Sequence, residues 1–255
     1  MQCDKYIASC SGGKDSVATL ILAKEHGEPL DEVVYCEVMF DQETSGEHPE
    51  HRDFVYQKVK PFVEDVLNVP FTILRSEKTY VDVFSHLITK GSNIGKPYGF
   101  AYPGMCAINR DCKIPPIRNY WKSQDKKVTQ YVGIAYDEQE RLMRMEGTNR
   151  ISLLAKYGYT ESDAVKLCVA YGMYSPCYDF SDRNGCWFCP NCKSAEWANL
   201  IFKHPEYFDK LLALESGFPD RARKCLTINE TPSELLRRIL DGGDQTNLFT
   251  EESLL

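Results

Sequence analysis

The chain has 255 residues, 43% of them hydrophobic, which suffices for one sizeable domain with an appendage or for two small ones. A net charge of −7 argues against a general nucleic-acid-binding surface, and no apolar run reaches the roughly 18 residues of a membrane span. Eleven cysteines, an odd number clustered late, fit metal-bound thiolates in a reducing cytosol better than a disulfide scaffold. The N-terminus shows neither the basic stretch nor the apolar stretch of a secretory signal, so a cytoplasmic location is expected.

Taken in chain order, Tyr6 to Cys10 reads as a short buried strand, followed by a glycine turn and an amphipathic helix from Asp15 to His26 closed by Gly27. Glu32 to Phe40 predicts a second strand ending in Asp41, Phe54 to Leu67 a helix, and "PFTIL" a third strand. Tyr80 to Lys90 predicts a helix, and Val128 to Ala135 a fourth strand. Strands alternating with helices imply a doubly wound parallel α/β sheet, with ligands beyond the carboxyl ends of its strands. Ser11, Asp41 and Tyr136 fall at that edge.

Beyond residue 136 the strand pattern fades. Thr160 with Asp163, and Thr231 with Glu234, mark helix starts. The expected division is a nucleotide-binding α/β domain over 1–135 and a helical, metal-stapled region over 136–255, ending in a loose tail. The Gly/Tyr-rich run Gly91 to Gly104 has the length of a loop that covers an active site, or of a disordered one. His48 and His51, in "GEHPEH", read as a solvated loop rather than a second polar site.

The turn Ser11-Gly12-Gly13-Lys14-Asp15-Ser16 does not fit the Walker A spacing, but its chemistry is related. Two glycines let backbone N–H groups face an anion, the next helix adds its positive end, and the two serines and Lys14 add donors. This SGGKDS turn resembles the PP-loop of the ATP pyrophosphatases. The resemblance implies that Ser11, Gly12, Gly13, Lys14, Asp15 and Ser16 grip the pyrophosphate end of ATP. It also implies cleavage between the α and β phosphates, with a Mg²⁺ ion held by Asp15 and Asp41. The segments "CAINRDCKIPPIRNYW" and "YVGIAYDEQERLMRM" resemble the phosphoadenosine-phosphosulfate (PAPS) reductase branch, making Lys113, Arg141 and Arg144 candidates for anionic oxygens. Lys14, Asp15, Lys113 and Arg141 are then the candidate catalytic set. The stretch from Arg110 to Arg150 carries nine Lys/Arg against six Asp/Glu in an otherwise acidic chain, which suits an anionic ligand or a solvated helix face. No Glu-Cys-Gly-x-His segment and no Cys-Cys pair follows, which departs from the pattern of that branch's sulfonucleotide reductases.

Cys177, Cys186, Cys189 and Cys192 are spaced C-x8-C-x2-C-x2-C, which matches a four-thiolate zinc knuckle. The spacing is similar to that of the queuosine-pathway nitrile synthase. A 4Fe–4S cluster is the alternative, although Glu196 stands where a ferredoxin run needs a fourth cysteine. Cys106 and Cys112 are open as alternative ligands or as a thiol made reactive by Arg110 and Lys113. The expectation is an adenylating enzyme acting on a small-molecule or tRNA acceptor. Sulfur transfer or sulfonucleotide reductase chemistry, using the Cys106 or Cys112 thiolate or an iron–sulfur cluster, is an alternative within enzymes, and a non-catalytic nucleotide-binding regulator or a nucleic-acid-docking zinc module lies outside them.

Overall fold

The computed structural model describes residues 5–104, 106–125 and 127–242. Five parallel strands form one sheet in the order β3-β2-β1-β4-β5: β1 Lys5–Ser9, β2 Glu32–Cys36, β3 Phe71–Leu74, β4 Val128–Tyr131 and β5 Arg150–Ile151. Ala8 lies opposite Val33 on one side and Tyr131 on the other, which makes β1 central. Side chains alternate between faces, as strand geometry requires. Ala8, Val33 and Tyr35 join one core, while Ile7, Val34 and Val128 pack with Tyr120 and Trp121 in another.

Helix α1 (Lys14–Glu25) is buried continuously from Ser16 to Ala23, so it is a core helix rather than the amphipathic one expected. The first-face core also takes Leu153, Leu154, Ala164 and Cys168 from α6 (Leu153–Lys156) and α7 (Glu161–Ala170). The helix α2 (Pro49–Phe54) runs on through wider π turns at Val55–Val59 and Phe62–Val66, and contributes Phe54, Val55, Val59 and Val63 to that core. On the opposite face lies α4 (Ile114–Lys122), which supplies Tyr120 and Trp121.

The chain divides into two units, but not by a single cut near residue 135. The first comprises 5–37, 50–76 and 113–179, and the second 38–49, 77–112 and 180–242. Two physical causes account for the difference. The chain leaves the sheet after β2 and again after β3 to build the second unit. Then β5, α6 and α7, all beyond residue 136, return to the sheet and to α1. The edge strand β5 is only two residues long and carried no strand pattern.

The second unit is helical, with α3 (Tyr80–Ser85), α8 (Ser194–Lys203), α9 (Pro205–Gly217) and α10 (Pro232–Asp241). Phe84, Phe100, Trp187, Trp197, Phe208, Leu211 and Ile239 fill its core. The expected helix Tyr80 to Lys90 stops at Ser85, whose hydroxyl turns back onto the Val81 carbonyl at 2.8 Å, and Leu87 pairs with Pro97 instead. The Gly91 to Gly104 run is tethered in this unit. Gly99, at φ +88°, lies against Arg223, where a Cβ would meet backbone at 2.3 Å, and Phe100 is fully buried. The tail beyond residue 242 and Cys3 lie outside the described residues.

Candidate functional site

The strand β1 delivers its last residues to a turn over 10–13, and α1 begins at Lys14. Gly12 has φ +76°, and a Cβ there would come within 2.5 Å of Val55 Cγ2 and 2.8 Å of His51 Cε1. Gly13 has an ordinary extended backbone at φ −73°. The left-handed turn therefore depends on Gly12, while Gly13 is free to face a ligand without conformational need for glycine. Ser16 Oγ donates to the Gly13 carbonyl at 2.8 Å and accepts from the Ser11 amide at 3.2 Å, which fixes the loop from within. At Gly133, just past β4, a Cβ would lie 2.6 Å from backbone atoms of Asp15 and Ser16, so the strand exit packs directly on the loop–helix junction. Strand β4 ends at Tyr131, short of the expected Ala135.

His51 is fully buried. Its Nε2 lies 2.9 Å from the Ser11 carbonyl, an obligate acceptor, and its Nδ1 lies 3.1 Å from Ser175 Oγ. The solvated-loop expectation for His51 is thus corrected: it is an internal brace of the turn. His48 is also buried, in the second unit, beside Phe180 and His204. A histidine in a polar stretch gives no sequence signal of burial, because its partners, Ser11 and Ser175, are distant along the chain.

Lys14 Nζ lies 3.3 Å from Asp15 and 3.4 Å from Glu161, the first residue of α7. Carboxylate oxygens of Asp15, Glu138 and Glu161 lie within 4.8 Å of one another. Burial raises the Asp15 pKa; Lys14 pulls it back, and Glu161 and Glu138 add to the rise. Burial works against charge on Lys14, but Asp15 and Glu161 outweigh it and hold its pKa above the usual value. Three converging carboxylates at the positive end of a helix have the donor chemistry of a hard divalent cation such as Mg²⁺. Neither Glu138 nor Glu161 lies in a motif that marks it for this role. Glu161 directly follows the Thr160 cap, and a first-turn acid reads as ordinary helix chemistry.

The Lys14 amide donates to the Tyr178 hydroxyl at 3.0 Å. Tyr178 stacks on Tyr174, with centroids 4.7 Å apart.

The remaining candidates are placed differently. Arg141 pairs with Glu138 three residues earlier on α5 (Gln139–Met143) and its approach, and is half-exposed. Arg144 is 76% exposed and pairs with Glu140 at 3.8 Å, an ordinary helix-surface pair. Lys113 lies in the first unit, where its carbonyl accepts from the Cys36 thiol at 3.7 Å. Asp41 belongs to the second unit. It is tied by Lys210 at 2.9 Å and by the amides of Glu43 and Thr44, and although burial opposes this, these bonds bring its pKa down to about 2. It is a turn residue with its own cation. The acid that closes β2 in the first unit is Glu37, fully buried between Arg75, Arg52 and Tyr56.

In the second unit, Cys186, Cys189 and Cys192 occupy successive tight turns, with the Cys189 amide bonding the Cys186 carbonyl at 3.1 Å and the Cys192 amide bonding the Cys189 carbonyl at 3.0 Å. Cys186 bridges to Glu47, and Trp187 Nε1 donates to the Ser45 carbonyl at 2.8 Å. Hydrogen bonding from Cys192, opposed by burial and aided by the Arg183 charge, lowers the Cys189 pKa to about 6. Cys192 is shifted upward by that same bond and by its burial. Arg183 Nη2 lies 3.5 Å from Cys192 Sγ. Two thiols hydrogen-bonded to each other beside a guanidinium have the donor chemistry for a thiophilic metal. Cys177 is buried in the first unit, on the short 3₁₀ turn Pro176–Asp179.

Cys112 is fully buried, away from any reactant in solvent. Burial, with Asp111 and Asp82 nearby, pushes its pKa up to about 12, and Arg110 is spent on Asp111. Cys106 is exposed and accepts from the Asn109 amide at 3.3 Å. Cys10, Cys36 and Cys168 are buried, as expected of core cysteines.

No family model matches the chain, and no curated protein is significantly similar in sequence. Among solved structures, the chain is similar to the U34-tRNA thiolase NcsA from Methanococcus maripaludis with its [4Fe-4S] cluster. The TM-score is 0.41 at 16% identity, over 98% of this chain and 83% of that one. It is also similar to the NH3-dependent NAD synthetase from Campylobacter jejuni in complex with the nitrate ion, with a TM-score of 0.41 at 12% identity over 88% and 86% of the two chains. At such values the functional reading rests on this chain's own geometry.

Proposed function

We propose that this chain is an ATP-using enzyme of the PAPS-reductase-like branch of PP-loop proteins, which cleaves ATP between its α and β phosphates and adenylates an acceptor. The observation that carries the proposal is the clustering of Lys14, Asp15, Glu138 and Glu161 around a glycine turn at the N-terminus of a buried helix. Backbone amides and the helix end would meet the negative charge of pyrophosphate, and Lys14 would steady it as a leaving group. Asp15, Glu138 and Glu161 would hold Mg²⁺, which supplies charge neutralisation on the phosphate oxygens. An acceptor oxygen attacking the α-phosphorus forms the new P–O bond as the bond to the bridging oxygen of the β-phosphate breaks. The acceptor, a small molecule or a tRNA, is the element that loops would select.

The cysteine knuckle of the second unit would hold a structural zinc ion through Cys186, Cys189 and Cys192. The donor set also suits an iron–sulfur cluster, and the two differ in a measurable way: metal content and visible absorption of anaerobically purified protein. One zinc per chain without colour supports the proposal, whereas brown protein with iron and sulfide overturns the choice of ion. For the loop, calorimetric titration with ATP and Mg²⁺ is the test. Binding that needs the cation and weakens about tenfold in Lys14→Ala supports the reading, and failure of the parent to bind ATP with or without Mg²⁺ overturns it.

A further inference from the structure

We propose that the Tyr178 hydroxyl holds the place of a phosphate oxygen on the loop, so that a phosphate ligand enters by displacing it. The inference rests on the phosphate-loop reading and adds a residue to it.

The first amides of a helix have no partner within the helix. Here the Lys14 amide is met by a side chain from 164 residues downstream, the Tyr178 hydroxyl at 3.0 Å. The acceptor is neutral, and it occupies the end of a helix whose field favours an anion. A phosphate oxygen offers the same amide a charge-assisted bond about twice as strong as a neutral one. The hydroxyl is therefore the weaker of the two occupants.

The surrounding aromatic and polar contacts keep it in place until then. The Tyr178 ring stacks on Tyr174 at an interplanar angle of 22°. Ser175, between them, bonds His51 Nδ1, while His51 Nε2 reaches the Ser11 carbonyl. One buried imidazole thus braces both the loop and the segment that carries Tyr178. This segment leaves α7 through Gly172, at φ +63° with nothing within 4 Å of its Cβ position. The ammonium of Lys14 is engaged by Asp15 and Glu161 in the same state, so both donors of this residue are satisfied internally before a ligand arrives. Such a loop discriminates by charge: an anionic ligand outcompetes the phenol for the amide.

The test compares the full chain with Tyr178→Phe, which keeps the ring and the stack. Inorganic pyrophosphate is titrated by calorimetry, and exchange of the Lys14 amide is followed by NMR without ligand. Removing one net hydrogen bond from the competing state should tighten pyrophosphate binding about fivefold. It should also speed exchange of the Lys14 amide, which loses its partner. Unchanged or weaker pyrophosphate binding by Tyr178→Phe overturns the proposal, since the hydroxyl would then be idle or a direct partner of phosphate. Faster exchange without tighter binding also overturns it, because the contact would exist without being used. If neither parent nor variant binds pyrophosphate, the phosphate-loop reading itself falls, which separates the two failures.

Discussion

The phosphate loop and the cysteine knuckle are both tight turns leading into helices, yet they are held in different ways. The loop is braced by residues distant along the chain: His51 and Val55 against Gly12, Gly133 against Asp15, Tyr178 on the Lys14 amide. The knuckle is held from both directions: Arg183 reaches Cys192 and Glu196 takes the Lys193 amide from close by, while Glu47 bridges Cys186 and the Ser45 carbonyl accepts from Trp187 from far upstream. A turn braced from outside is preorganised before its ligand arrives. A turn that gathers thiols gains further rigidity from the ion it holds.

Substitution at Gly12 should break the loop most severely. Gly12→Val meets Val55 and His51 and forces a β-branched residue to φ +76°, with loss of nucleotide binding and destabilisation of about 3 kcal/mol or more, read by calorimetry and denaturant unfolding. Gly13→Ala keeps an allowed backbone and should stay folded while losing ATP affinity, because its Cβ intrudes on the space phosphate needs. An unstable Gly13→Ala with normal Gly12→Val would reverse the roles assigned to the two glycines.

In the knuckle, Cys189→Ser should remove the bound metal and lower the melting temperature by about 5 °C or more, with a smaller change in ATP affinity. Equal metal content in parent and variant would contradict the ligand assignment. Lys14→Ala should reduce turnover about 100-fold while weakening ATP binding about tenfold, since its charge meets the leaving group.

The two regions also differ in how much could be read beforehand. The loop's position after β1, the helices begun by Thr160 and Thr231, and the parallel sheet follow from local pattern. Local pattern carries turn chemistry and burial period, and these elements need nothing else. Glu138, Glu161, His51 and Tyr178 were illegible because each acts through a partner remote along the chain. Arg141 and Arg144 pair with acids one helical turn away, and the partner of Arg141 is Glu138 of the carboxylate cluster. The two units do not follow a single cut near residue 135, because β5 returns to the sheet and α7 to the α1 core after the strand pattern has faded.

Two pH effects sharpen the comparison with smaller amplitudes. The raised Asp15 pKa means that its charged form is costly in the folded chain above its ordinary titration range, and a cation relieves that cost. Mg²⁺ should therefore raise thermal stability more at about pH 8 than at about pH 5, where protons compete for the cluster. An equal effect at both would remove Asp15 from the cation site. Asp41 runs the other way: its depressed pKa gives stability present above about pH 4 and lost as pH falls through about 2. Asp41→Asn should cost a small stability increment at neutral pH that vanishes in acid, as followed by unfolding at each pH.

The most direct test of the central claim is the identity of the products formed from ATP labelled at the α or the γ phosphate, with Mg²⁺ and pools of small-molecule or tRNA acceptors. Cleavage between the α and β phosphates predicts α label in an adenylated acceptor and AMP, γ label in pyrophosphate, and no ADP. Label appearing in ADP and inorganic phosphate would contradict it.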